Sequence, residues 1–336
     1  MAKPEQIKNI DCDEEAASAI HAVLTTRVGE LVELRKKALN GTDADGVHDM
    51  RVAARRLRSV LSDFTPYLRK NHMNSSLKEI KGIADALGEV RDHDVAIKAL
   101  NALAKKAPAY VVKVLNQVVE ERTGLREEAR KDLEEVLQKN EFRGFESNFA
   151  SALTDALEVN RKSEAKQSYD EVGKEIIRDR LKDLDKLSSA LYQPLDVDPL
   201  HELRIGAKRL RYALEVFEQC WGEQIAVFAG RVAEMQTALG DLHDCDVWIA
   251  SFGKLGVHAK KNETGQSKAA IWLLRHFMER RTRYFQSACR IWRQWQDDQF
   301  EMLLLDAMKA KVAEADHSKS VREKAAAQIN LKQTQS

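Results

Sequence analysis

The sequence predicts an all-α protein made of two copies of one four-helix unit, and three observations lead there. Only five Pro and fifteen Gly punctuate 336 residues, too few for a sheet protein that must turn every dozen residues or so. Apolar residues recur at spacings of three and four along most of the chain, the period of a helix with one buried face. Two segments each occur twice at nearly the same offset, which marks a duplicated supersecondary unit.

The first of these runs His48-Asp-Met-Arg51-Val-Ala-Ala-Arg55-Arg56-Leu-Arg58 and returns as His201-Glu-Leu-Arg204-Ile-Gly-Ala-Lys208-Arg209-Leu-Arg211, with six of eleven positions identical. The second runs Ala86-Leu-Gly88-Glu-Val-Arg91-Asp92-His93-Asp94-Val95 and returns as Ala238-Leu-Gly240-Asp-Leu-His243-Asp244-Cys245-Asp246-Val247. The offsets are 153 and 152, so one residue is gained or lost between the blocks. A fainter echo aligns Leu24, Arg27, Leu31 and Leu34 with Ile177, Arg180, Leu184 and Leu187.

Apolar spacing and breakers place the first four helices at 14–39, 46–65 (stopped by Pro66), 74–104 and 108–138, a first bundle over residues 1–139. Residues 140–167 hold a bridging helix over 142–160 and a polar linker. The second bundle, 168–297, has helices at 168–192, 199–220, 223–253 and 266–296. Residues 298–336 read as a helical extension whose Ala, Gln and Lys rich tail is disordered. Two bundles related by an internal pseudo-two-fold form the simplest architecture for this pattern, and their two basic helices are expected to face each other antiparallel across the interface.

Composition bounds the function. With 54 Lys plus Arg against 53 Asp plus Glu, the chain lacks the basic excess of a general duplex binder, so any polyanion site comes from local segregation of charge. No apolar run approaches the length of about eighteen needed to span a bilayer, and the N-terminus has no signal-peptide pattern, so a cytoplasmic protein with no membrane partner is expected. Cys12, Cys220, Cys245 and Cys289 form no CxxC pair. They read as reduced thiols, with neither a disulfide scaffold nor a zinc ribbon expected.

The repeated helix is the chemical centre of the sequence. Val47, Met50, Ala54, Leu57 and Leu61 fall on one stripe, and His48, Arg51, Arg55 and Arg58 on a second stripe beside it, with Arg56 nearer the outward face. The second copy gives Leu200, Leu203, Ala207, Leu210 and Leu214 beside His201, Arg204, Lys208 and Arg211. Cations stacked one turn apart repel one another, so keeping such a row twice points to an anion rather than to folding. Asp45 and Asp198 read as N-caps, followed by Gly46 and Pro199. His48 and His201 then lie in the first turn, where free N–H groups and the helix dipole favour an anion; a capping or core role is their alternative. The planar fork of Arg matches phosphate oxygens, and a row of them at one-turn intervals suits a chain of phosphates. Arg27 and Arg180, matched on the first helix of each unit, are candidates for the same site.

In the third helix of each unit, Asp92, His93 and Asp94, or His243, Asp244 and Asp246, could be read as metal ligands. Residues i and i+2 of a helix point to different faces, however, and Cys245 stands where the first copy has His93. Pairing of Asp92 and Asp244 with arginines of the second helix, with Gly88 and Gly240 allowing close packing, is the favoured reading. No catalytic residue, metal or cofactor is expected.

The motifs His-x-x-Arg-x-x-x-(Arg/Lys)-Arg-Leu-Arg and Leu-Gly-x-x-x-Asp-x-Asp-Val, each present twice, closely resemble those of the CHAD family, named for its conserved histidines in an α-helical domain. The resemblance spans roughly residues 13–295. It implies two four-helix bundles around a central basic cleft, binding of inorganic polyphosphate there without catalysis, and association with polyphosphate granules. Carried over by position, the family histidines match His48 and His201, and its basic ligands match Arg51, Arg55, Arg58, Arg204, Lys208 and Arg211. The ExExK strand of the triphosphate-processing domain often fused to CHAD is absent, so that chemistry is not inherited. Single-stranded nucleic acid or nucleotide binding is the rival reading. It calls for aromatics along the row, and Tyr212 alone follows it. A metal-dependent phosphohydrolase using Asp92 or Asp244 is the third.

Overall fold

The computed structural model describes residues 7, 10–40, 45–138, 140–158, 167–258 and 264–309. In chain order its helices are α1 (Ala16–Glu33), α2 (Arg35–Leu39), α3 (Gly46–Phe64), α4 (Lys70–Ala104), α5 (Ala109–Gln138), α6 (Asn140–Glu158), α7 (Tyr169–Leu187), α8 (Val197–Trp221), α9 (Glu223–His258), α10 (Thr264–Asp297) and α11 (Phe300–Ala307), with 3-10 turns at Thr65–Tyr67 and Ser188–Tyr192. Among the described residues there is no β-strand, only an isolated antiparallel bridge between Glu15 and Ser168. The all-α expectation holds. Pro66 ends α3 in a 3-10 turn, as its missing N–H and fixed φ require. The expected first helix is broken at Leu34 into α1 and α2. The tail expected to be disordered lies outside the described residues.

α4, α5, α9 and α10 have 30 to 36 residues each, or about 50 Å at a rise of 1.5 Å per residue. α4 packs on α5 and α9 on α10, giving two long hairpins; α3 lies against α8, and α5 meets α10. Buried side chains form two clusters. The larger takes Leu24, Met50, Leu57 and Phe64 from the first half together with Ile177, Leu203, Leu210 and Phe217 from the second. The smaller joins the far ends of the hairpins, with Leu100, Val111 and Leu115 against Trp248, Phe252, Leu273 and Phe277. Both cores therefore mix the two halves, and neither half closes on itself. α6 belongs to the body of the fold: it packs on α4 and α1 and buries Phe145, Phe149 and Leu153.

The start of the chain stitches the halves together. Ala16 N–H donates to Gln167 C=O, Tyr169 N–H to Glu14 C=O and Asp170 N–H to Cys12 C=O, at 3.0 to 3.1 Å. Ser168 N–H donates to the Glu171 carboxylate at 3.0 Å, one arm of a capping box that starts α7. The same segment carries Cys12 to the end of α8, where it is disulfide-bonded to Cys220 with Cα atoms 5.5 Å apart. This corrects the expectation of four reduced thiols: sequence spacing is silent on two residues 208 apart that folding brings together. Cys245 and Cys289 are free thiols. The cysteines thus no longer support a cytosolic reading. None of the described helices is long and apolar enough to cross a membrane.

Candidate functional site

The apolar stripes of α3 and α8 are buried as the periodicity requires: Met50, Ala54 and Leu57 in one helix, and Leu203, Ala207, Leu210 and Leu214 in the other, expose nothing. The basic rows are rotated about 100° from these stripes and lie at the margin of the core. There Arg51, Arg55, Arg204 and Lys208 are each part-buried and Arg58 is exposed.

The rows approach one another from the two halves. Burial and then its cationic neighbours, Arg204, Arg55, Arg209 and Arg58, push the Lys208 ammonium down to about 8. Arg204 is lowered by burial, with Arg55 and Arg51 acting on it as well as Asp244 and Asp92. Arg204 thus sits with Arg51 and Arg55, and Lys208 with Arg55 and Arg58. Position advances in the same sense along both helices, so the rows run side by side in parallel, which corrects the antiparallel expectation. Arg55, Arg204 and Lys208 make no hydrogen bond or ion pair among the described residues, and Arg55 Nε is buried without a partner.

The first-turn histidines meet α4 and α9. His201 and His243 bring their Nδ1 atoms to 3.2 Å, with ring centres 4.4 Å apart. His48 is held below its ordinary range by burial and then by Arg91. Position 91 in the first copy and 243 in the second therefore face the matched histidines His48 and His201, and His243 is itself lowered by burial and by Arg204. Capping is done differently from expectation. Asp45 precedes α3 but makes no side-chain cap bond; α8 is preceded by Asp196, which makes none either, and Asp198 lies inside its first turn. Gly46 is required by close approach, because a Cβ there would lie 2.2 Å from the Lys37 carbonyl oxygen.

The acidic motif splits its work by face. Asp92 pairs with Arg51 Nη1 at 2.8 Å, and the carboxyl of Asp244 is raised by burial and held back by Arg204. Position 93 or 245 turns inward, and His93 and Cys245 are both buried. Asp94 and Asp246 turn to the fourth helix of each unit, where Arg126 Nε and Arg281 Nε donate to them. Sequence reasoning missed these two arginines. The signal was an Arg 32 or 35 residues after the second aspartate of the motif, without a charge of its own to balance. Among the described residues no group of three or more His, Cys, Asp or Glu could hold a metal ion. Gly88 has nothing within 4 Å of where a Cβ would sit, and Gly240 only Arg204 Nε at 3.8 Å, so close helix packing does not explain these glycines.

Three of the sequence candidates are engaged elsewhere. Arg27 is buried and bonded to Glu30 at 2.6 Å. Arg180 gives two nitrogens to Asp63, at 2.9 and 2.6 Å, and a third contact to Asp183 at 3.4 Å. Arg211 is buried, lies 3.3 Å from Glu215 and sits over the ring of Tyr212. Neither Arg27 nor Arg180 joins the basic rows: Arg27 bonds Glu30 of its own helix, and Arg180 bonds Asp63 of α3 across the line between the halves. Arg56 is also not outward: it is lowered by burial, with Glu215 and Glu30 opposing. Tyr212, the aromatic that follows the row, is buried between Arg55 and Arg211 and offers no face to a base.

A family model for the CHAD domain matches residues 22–252. The chain belongs to the CHAD family. No curated protein matches it. Among solved structures, the CHAD domain from the plant Ricinus communis is 21% identical, with a TM-score of 0.68 over 87% of this chain and 96% of that one. PptA from Streptomyces chartreusis is 13% identical, with a TM-score of 0.66 over 83% of this chain and 100% of that one. At these identities the likeness is one of fold. α3 and α8, which lie side by side, and both copies of each motif fall within the matched span.

Proposed function

We propose that this CHAD protein binds inorganic polyphosphate, without catalysis, in a basic cleft along the paired rows of α3 and α8, and that it associates with polyphosphate granules. The reading rests on one observation above all: Arg55, Arg204 and Lys208, drawn from both halves, crowd together part-buried without a hydrogen bond or ion pair among the described residues. Folding alone gains nothing from such crowding; a linear polyanion neutralises all of it at once. Arg51 and Arg58 extend the row at its two ends, each held near a single exposed carboxylate, Asp92 or Asp85, which phosphate can displace at little cost. His48 and His201 add donors at the helix starts. Arg211 supports the row by packing on Tyr212 and contributes less to the ligand directly.

Charge-assisted contacts supply most of the affinity, so log affinity falls linearly with log salt. The test is binding of labelled long-chain polyphosphate, competed by single-stranded DNA and ATP over a salt series. Wild type is compared with a variant carrying Arg51→Ala, Arg55→Ala, Arg204→Ala and Lys208→Ala. Selective binding lost in the folded variant supports the reading. Equal competition by DNA, or binding unchanged in the variant, overturns it.

A further inference from the structure

Arg281 stands outside the basic rows, yet it touches the element that aims one of them. On α10, its Nε donates to the Asp246 carboxylate and its Nη1 to the Pro194 carbonyl at 2.7 Å. Arg281 and Asp246 expose only 13% and 8% of their side chains, so the contact is shielded from water and correspondingly firm. Pro194 lies in the segment that leads into α8. Otherwise that segment is held by short-range backbone bonds, from Gln193 N–H to Ala190 C=O and from Asp196 N–H to Gln193 C=O: Tyr192 and Leu195 are mostly exposed, and Asp196 makes no side-chain cap on the first turn.

One turn of α9 therefore reaches the start of α8 by two routes. His243 meets His201 directly. Asp246, three residues on, meets Pro194 through Arg281. The first half performs the same task with different residues. Arg126 takes Asp94, while Arg130, one turn further along α5, donates to the carbonyls of Ala38 and Leu39 at 2.7 Å each. Lys37 then bonds Asp49 in the first turn of α3 at 2.7 Å. In both halves an arginine of the fourth helix holds the chain just before the basic helix.

We propose that Arg281 is a positioning residue: bridging Asp246 and the Pro194 carbonyl, it fixes the first turn of α8 and with it His201. This assigns the second aspartate of the repeated acidic motif a task in building the anion site, as the anchor of that arginine. The consequence for ligand affinity rests on the polyphosphate reading above; the consequence for the 190–200 segment does not.

The test uses the full chain and three variants, Arg281→Met, Arg281→Lys and Asp246→Asn, with two readouts. Amide hydrogen exchange over residues 190–200 is expected to accelerate in Arg281→Met and Asp246→Asn, and the ring NMR signals of His201 to shift. Lysine reaches one partner at a time, so Arg281→Lys falls between. Polyphosphate affinity is expected to drop about tenfold in Arg281→Met, the scale of losing hydrogen bonds to a charged group, with the helical content unchanged. Exchange and His201 signals that match wild type in all three variants overturn the positioning role. If the segment loosens but wild type binds no polyphosphate, the ligand reading fails and the positioning role stands.

Discussion

Arg180 donates through both Nε and Nη2 to one carboxylate oxygen of Asp63, across the line where α7 meets α3. Asp63 is buried, and Arg209 acts on it as well. On the other side of the same line Arg56 faces Glu215 and Glu30. Arg180 and Arg209 from the second half, and Arg56 from the first, thus act across the union of the halves.

Burial dominates Asp63 and lifts its carboxyl to about 6 despite Arg180. A carboxyl raised above its unfolded value contributes stability that is full below about pH 4 and is lost as pH rises through 6. Asp63→Asn keeps an acceptor for Arg180 and removes the titration. The slope of unfolding free energy between pH 4 and 7 is expected to change in that variant, and chemical denaturation at several pH values measures it. An unchanged slope would show that Asp63 does not titrate in this range.

Lys208 gives the binding reaction its own pH limb. Free, its ammonium is lowered to about 8; bound phosphate stabilises the charged form and raises it. Binding above pH 8 therefore takes up a proton, and affinity is expected to fall as pH rises through 8 and beyond. Lys208→Arg keeps its charge at all these pH values and should flatten the curve between pH 7.5 and 9.5. A wild-type affinity that is level across that interval contradicts this account of Lys208.

The 2.8 Å contact between Arg51 and Asp92 separates binding from hydrolysis. Asp92 is mostly exposed, so the pair contributes no more than about 1 kcal/mol, and its carboxylate repels an incoming phosphate. Asp92→Asn is expected to leave polyphosphate binding intact or strengthen it by about fivefold or less. A metal-dependent phosphohydrolase would instead lose its activity in this variant, and phosphate release assays with Mg²⁺ or Mn²⁺ distinguish the two.

The Cys12–Cys220 bond closes a loop of 208 residues. In the chain-entropy account such closure stabilises the fold by about 5 kcal/mol, equivalent to a fall in Tm of about 7 °C on its removal. Cys12→Ser and chemical reduction should lower Tm alike, and reducing the variant should do nothing more. Equal melting of wild type with and without reductant speaks against a disulfide in the native protein.

The repeat was the most legible feature. Two apolar stripes and two basic rows followed from it, and Met50, Ala54, Leu203 and Ala207 lie where the period puts them. Periodicity could not tell which cations gather between α3 and α8. Arg27, Arg56, Arg180 and Arg211 obey the same repeat as Arg51 and Lys208, yet their partners come from other helices, and periodicity describes only one helix at a time. The parallel sense of the rows escaped for the same reason, since it depends on how α3 and α8 meet. Asp94 and Asp246 were placed on a separate face by helical geometry, but the arginines that meet them lie more than thirty residues away.

The disulfide also alters what a cut in the chain can do. Residues 12 to 220 form a covalent ring, and a peptide bond broken anywhere within it opens the ring without releasing a fragment. Cleavage between the halves leaves α3 and α8, one from each piece, still tethered through sulfur. Such a nicked molecule migrates as one band until a reductant is added, and its two basic rows stay on one covalent body.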